Sequence, residues 1–226
     1  VTNDPTNDPT HDPANDAKLF DIMSTCRSMR RLSSEPVPEP VLHRLVEAAG
    51  YAPSGRNLQR ARWILVRGAG QKAAIAELNR RASEAPVRDH IEATEELPHH
   101  DRAKRRRMWE AVLWQTDHLH EAPALIVACC ILDHADQDPY RYGSSVWPGI
   151  QNLLLAARAH GLGAVPTTFA LQFRAELSEV LELPPRVCVQ AIIPVGYPTG
   201  NFGPVRRLAV SDVLMDERWQ GTVPVT

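Results

Sequence analysis

Two unbroken apolar runs constrain this chain more than any other feature. Ala122–Leu132 reads APALIVACCIL and Val187–Val195 reads VCVQAIIPV. Both fall well short of the roughly 20 apolar residues that carry a helix across a bilayer. Short continuous runs of this kind suit strands buried on both faces, and Ala122–Leu132 is the best central strand. Trp63–Val66 is a third, shorter strand. Between them the apolar period is helical. Leu19, Ile22, Met23 and Cys26 fall at i, i+3, i+4 and i+7, and Leu42, Leu45, Val46 and Ala49 line a second face that stops near Gly50. The prolines of Ser33–Pro40 separate these two helices. Further helices are predicted over Lys72–Arg81, from Ser144 or Ser145 through Ile150, Leu153, Leu154 and Ala157 to His160, and over Leu171–Leu181. His160, at a helix end, reads as a favourable dipole partner rather than a base.

The strands and helices do not alternate regularly enough for a doubly wound sheet. No GxGxxG follows a strand, and neither a Walker loop nor an HExxH occurs. An α+β layer fold is therefore expected. Lys plus Arg total 25 and Asp plus Glu 27, a net charge of -2 that argues against a general nucleic-acid coat. The four cysteines (Cys26, Cys129, Cys130, Cys188) make no disulfide framework, and Cys129 and Cys130 read as small buried hydrophobes. No CxxC supports a metal site. The expected compartment is reducing and cytoplasmic, with no membrane association.

Residues 1–17, with the near-repeat TNDPTNDPTHDP, lack an apolar core and are expected to be a disordered leader rather than a signal peptide. A single domain is expected over 18–226. The C-terminal stretch Leu208–Thr226 alternates poorly and reads as an arm packing on another subunit.

Two basic clusters carry chemistry. Arg27 and Arg30 in Cys26-Arg27-Ser28-Met29-Arg30-Arg31 are three apart, hence neighbours on a helix, with the Ser28 hydroxyl close by. Two guanidinium groups and a hydroxyl can hold a phosphate; the same residues can also be a surface helix ending. Gly203-Pro204-Val205-Arg206-Arg207 supplies a second pair far away in sequence. A third basic run, Arg102–Arg107, has two readings: a solvated helix face, or part of a mobile lid or docking surface for an acidic ligand.

These motifs resemble the FMN-dependent nitroreductase family. Arg27-Ser28-Met29-Arg30-Arg31 precedes Pro36-Val37-Pro38, and the loop Ala52-Pro53-Ser54-Gly55-Arg56-Asn57-Leu58-Gln59 follows. Ser145–Thr168 resembles the family's central helix and flavin loop, and Gly203–Arg207 its late Gly-Pro-x-Arg-Arg element. The resemblance covers about Leu19–Trp219.

It implies a homodimer with a mainly antiparallel central sheet flanked by helices, a C-terminal arm exchanged between subunits, and FMN at the interface. The implied cofactor-binding residues are Arg27, Ser28, Arg30, Arg31, Arg206 and Arg207 toward the phosphate and ribityl end, and Pro53, Ser54, Asn57 and Gln59 toward the pyrimidine edge. Pro166, Thr167 and Thr168 would lie against the ring. Without the resemblance, Asn57 also reads as a loop cap. The implied reaction is ping-pong hydride transfer from NAD(P)H through the flavin to a nitroaromatic, quinone or other electron-poor small molecule. No side chain is assigned as catalytic; Arg30 would stabilise negative charge on reduced flavin. Reductive dehalogenation, flavin destruction, ring dehydrogenation or flavin binding without turnover are the alternatives. Ser83–His120 is the implied lid, with Trp109, Trp114, His99 and His100 as substrate contacts; core packing is the competing role for both tryptophans. This chain has Arg60-Ala61 where many relatives have Pro-Trp.

Overall fold

The computed structural model describes residues 13–96, 101–135 and 137–221 of the 226. Four strands, β1 (Ala61–Val66), β2 (Ala124–Ile131), β3 (Gly163–Ala164) and β4 (Val187–Gly196), form one antiparallel sheet in the order β1-β2-β4-β3. Strand β2 lies inside it, as its unbroken apolar sequence requires. Ala124, Ile126, Ala128 and Cys130 point to one face, and Leu125, Val127 and Cys129 to the other. Both faces are covered, so no position on β2 has a use for a polar side chain.

The described residues form seven α-helices, α1 (Pro13–Thr25), α2 (Glu39–Gly50), α3 (Ala69–Glu92), α4 (Arg102–His118), α5 (Trp147–Ala159), α6 (Arg174–Val180) and α7 (Val210–Val213), of which α2, α3, α5 and α6 pack on the sheet. On one face Leu42 and Leu45 of α2 and Ile150 and Leu153 of α5 pack on Ile126 and Ile193. On the other, Ile75 and Leu78 of α3 and Leu177 of α6 pack on Leu125, Val127 and Ile192. Gly149 lets α5 approach closely, because a Cβ there would stand 2.9 Å from the Ala49 carbonyl and 3.1 Å from the Trp63 ring. The mixed α+β fold and its central antiparallel sheet match the expectation. None of the described helices is long and apolar enough to cross a membrane.

Several boundaries differ. Helix α1 begins at Pro13, so its first turn takes in part of the segment expected as disordered leader; proline fits the first helical position, where its missing N–H is not needed. Residues 1–12 lie outside the described residues. Helix α3 runs well past the expected Arg81, since Ala82 and Val87 continue its buried face. Strand β3 has only two residues and no readable period.

The largest correction concerns Arg27 and Arg30, which are not helix neighbours. Helix α1 stops at Thr25, where the Thr25 and Ser24 hydroxyls donate to the Asp21 carbonyl at 2.6 and 3.1 Å. The chain then runs extended along the sheet edge, with Ser28 bridging Ala164 and Leu32 bridging Pro198. Two glycines permit this path. A Cβ on Gly163 would lie 2.7 Å from Met29 Cβ and 2.8 Å from Leu32, and one on Gly196 would lie 2.8 Å from Pro123 and 3.3 Å from Leu32 Cβ.

Candidate functional site

The extended segment brings Cys26, Arg27, Ser28 and Arg30 to a cavity of about 760 Å³. Pro204, Val205, Arg206 and Arg207 form a second wall, held to the end of α1 by the Val205 N–H, which donates to the Ser24 carbonyl at 2.7 Å. Arg158 strengthens the same junction: its Nε donates to Thr25 Oγ1 at 3.0 Å and its guanidinium lies 4.4 Å from the Phe202 ring centre. Helix α4 supplies the third wall through Lys104, Arg107, Met108 and Ala111. Those four positions follow i, i+3, i+4 and i+7, so one helix face serves the cavity.

Six cations therefore converge on one space, and among the described residues no carboxylate lines it. Among the described residues only Lys104 is ion-paired, to Asp101 at 2.5 Å. Asp101 also caps α4, accepting from the Lys104 N–H at 2.8 Å, and both bonds hold its carboxyl down at about 2. Arg207 turns one guanidinium N–H to the Arg206 carbonyl at 2.8 Å. Arg27, Arg30, Arg107 and Arg206 have no side-chain hydrogen bond or ion pair to another described residue. Arg30 is half-buried, and loss of surrounding water pushes its guanidinium below its ordinary value. A buried cation without a partner is unfavourable unless an anion answers it.

The phosphate of FMN fits this demand: a dianion with three acceptor oxygens facing several guanidinium groups and the Ser28 hydroxyl. Met108, Ala111, Val205 and Pro204 add apolar wall, and the volume lies in the range of cofactor clefts.

The structure thus gathers five of the sequence-derived residues: Arg27, Ser28, Arg30, Arg206 and Arg207. Arg31 does not line the cavity; its carbonyl accepts from the Thr199 N–H at 3.1 Å, and its side chain is exposed. Pro53, Ser54, Asn57 and Gln59 are also elsewhere. Their loop is largely exposed and sharply folded, with left-handed φ at Arg56 (55°), Asn57 (54°) and Gln59 (47°). Ser54 Oγ accepts from the Gln59 N–H at 3.0 Å, and Ser145 Oγ from the Gly55 N–H at 3.2 Å. Asn57 Oδ1 accepts from the Gln59 amide at 3.3 Å, as a loop-capping asparagine does.

Thr167 is buried, its hydroxyl donating to Asn79 at 2.9 Å and its backbone paired with Ile192, so its side chain serves the core. Pro166 and Thr168 flank it and do not line the cavity. Trp109 stacks on His90 and Trp114 on His118, each with ring centres 4.3 Å apart, and neither lines the cavity. His99 and His100 lie outside the described residues. Arg60, the departure from Pro-Trp, ion-pairs with Asp133, whose other oxygen accepts from the Tyr142 hydroxyl at 2.6 Å. Lys104 and Arg107 were missed as individual site residues, although their spacing with Met108 and Ala111 was available in the sequence. No group of three potential metal ligands occurs among the described residues.

A mixed α+β fold with an arginine-lined anion cavity at one sheet edge defines the general class. Comparison then gives the family: residues 24–197 match the Nitroreductase family, and the chain belongs to it. It is 31% identical over 201 residues to an NADH dehydrogenase of Thermus thermophilus, covering 84% of this chain and 91% of that one. It is 30% identical over 183 residues to an iodotyrosine deiodinase of Thermotoga neapolitana, covering 80% and 88% respectively. Among solved structures it resembles an oxidised iodotyrosine deiodinase bound to FMN and 3-iodo-L-tyrosine, at TM-score 0.69 and 26% identity over 89% of this chain and 99% of that one.

Proposed function

We propose that this protein is a homodimeric, cytoplasmic FMN oxidoreductase that takes hydride from NAD(P)H and reduces nitroaromatics, quinones or similar electron-poor small molecules by a ping-pong cycle. The observation that carries the reading is the convergence of unpaired guanidinium groups from the Arg-Ser-Met-Arg and Gly-Pro-Val-Arg-Arg motifs on one cavity. Bound FMN would supply the hydride chemistry itself. The chain's residues bind and orient. Arg27, Arg30 and Arg207, with Ser28, would hold the phosphate through charge-assisted hydrogen bonds. The half-buried charge of Arg30 favours added negative charge on the bound group, because surroundings of low polarity strengthen the attraction. Met108 and Ala111 offer apolar surface that keeps water from one side of the cavity.

Dimerisation is supported by what one chain leaves uncovered. Leu19, Phe20 and Met23 on α1 are exposed, as are Leu208, Val210, Val213, Leu214 and Trp219 near the C-terminus. A second copy would cover these residues, receive the C-terminal arm and bring its Pro53–Gln59 loop to the cavity; residues 222–226 of that arm lie outside the described residues. All four thiols are unpaired, which suits a reducing compartment.

An anaerobic absorbance scan tests the reading. The flavin band should bleach on addition of NADPH or NADH and return with a nitroaromatic. The similarity to an iodotyrosine deiodinase favours one second reading, reductive dehalogenation. It would replace the first if neither nucleotide bleaches the flavin while chemically reduced protein releases iodide from 3-iodotyrosine.

A further inference from the structure

The cavity holds more positive charge than one phosphate requires, and the surplus sits on a separate element. Arg27, Arg30, Arg206 and Arg207 come from the two segments that meet at the end of α1. Lys104 and Arg107 come from α4, one turn apart on a single face. Their position is electrostatically unfavourable. The first six residues of α4 include Arg102, Lys104, Arg105, Arg106 and Arg107, and the first turn has no acidic residue beyond the Asp101 cap. Cations at a helix N-terminus oppose the macrodipole. A stability argument alone would place them at the other end.

Their partners divide the group. Arg106 donates to Glu110 at 3.1 Å on the solvent side. Lys104 is partly answered by Asp101. Arg107 is the only arginine of this run that lines the cavity; it has no ion pair among the described residues, its charge acting on Asp101 from farther off, and Arg102 and Arg105, which also lack an ion pair there, do not line the cavity. An anion at that place would meet a planar guanidinium, an ammonium group and the positive end of a 17-residue helix together.

We infer that Arg107, supported by Lys104, forms a second anion subsite that takes the 2′-phosphate of NADPH and makes the enzyme prefer NADPH over NADH. The inference rests on the reductase reading above and deepens it, because the two nucleotides differ only in that phosphate monoester. The ester is a dianion at neutral pH, and Arg107 can meet two of its oxygens at once.

Equilibrium binding to the FMN-loaded protein tests the subsite without turnover. Adenosine 2′,5′-bisphosphate and 5′-AMP are titrated in turn by calorimetry. The bisphosphate should bind at least about ten-fold more tightly, and Arg107→Ala should abolish the difference while retaining its flavin. Arg106→Ala should keep the preference. Equal affinities in the parent protein, or a preference that survives Arg107→Ala, overturns the subsite. Loss of flavin from Arg107→Ala also overturns it, by assigning α4 to the FMN phosphate. Failure of both NADPH and NADH to bleach the flavin is a separate result: it refutes the reductase reading, whereas the titration reports on Arg107 alone.

Discussion

Along α3 every arginine has a carboxylate. Arg80 lies between Glu77 and Glu84 at 2.9 and 2.6 Å, Arg88 reaches Glu84 at 3.3 Å, and Arg81 reaches Glu176 at 2.5 Å. In the cavity Arg27, Arg30, Arg107 and Arg206 have no ion pair among the described residues, although the chain carries slightly more acidic than basic residues. Carboxylates are available in number, yet among the described residues none lines this cavity. Exposed pairs of the α3 kind contribute little to stability, because water already screens both charges. What sets the cavity arginines apart is that several guanidinium groups without an ion pair among the described residues face one space, where a single polyanion can meet them together.

The contrast should be broken most severely at Arg30. Arg30→Met keeps much of the side-chain volume and removes the charge. Flavin binding should weaken by about 1.5–3 kcal/mol, the range for hydrogen bonds to charged groups. The apoprotein should melt at a higher temperature than the parent, since an unanswered half-buried charge has gone. Fluorescence titration with FMN and a thermal melt of each apoprotein check both; unchanged flavin affinity would remove Arg30 from the site.

Gly163→Ala attacks the same residues through the backbone. Its new Cβ would press on Met29 and Leu32 at 2.7 and 2.8 Å, displacing the segment that carries Arg27 and Arg30. Overpacking of this kind costs about 1–3 kcal/mol, so urea denaturation should show a less stable protein that also retains less flavin. A variant with parental stability and flavin content would show that the arginine segment can yield without loss.

Arg81→Ala sharpens the comparison from the paired side. Flavin affinity should be unaltered and the melting point barely displaced. A flavin defect here would mean that paired and unpaired arginines belong to one network.

The smallest effect is expected at Asp101. Its carboxyl is held at about 2, below the ordinary carboxylate range, by the Lys104 side chain and backbone N–H. A depressed folded-state value stabilises in full above the unfolded value, about 3.9, and the benefit is lost as pH falls through about 2. The gap in urea midpoint between the parent and Asp101→Ala should therefore be constant above about pH 4 and close toward pH 2. A gap that persists at the acid end would assign Asp101 a role other than its charged cap.

Much of this was legible in the sequence for a simple reason: neighbours in the chain made the signal. The apolar runs of β2 and β4 and the helical faces of α2 and α5 depend on local period alone. Arg27, Ser28 and Arg30 were found as residues, yet their helical geometry was wrong, because Gly163 and Gly196 draw that segment onto the sheet edge. The charge run on α4 could not be divided by spacing into cavity and solvent members without knowing where α4 packs. Arg106 belongs to the solvated reading and Arg107 to the anion-binding one, though they are adjacent. Thr167 carries a contact that no local pattern encodes: its hydroxyl donates to Asn79, 88 residues away in the chain.

The unpartnered guanidinium of Arg30 also ties protein quantity to vitamin supply. A ligand that binds only the folded chain adds stability in proportion to the logarithm of its free concentration. FMN at one hundred times its dissociation constant would contribute about 2.7 kcal/mol, a large share of a typical domain's margin. Cells short of riboflavin would then hold fewer copies of this enzyme as well as fewer loaded ones, with proteolysis removing the empty chains first.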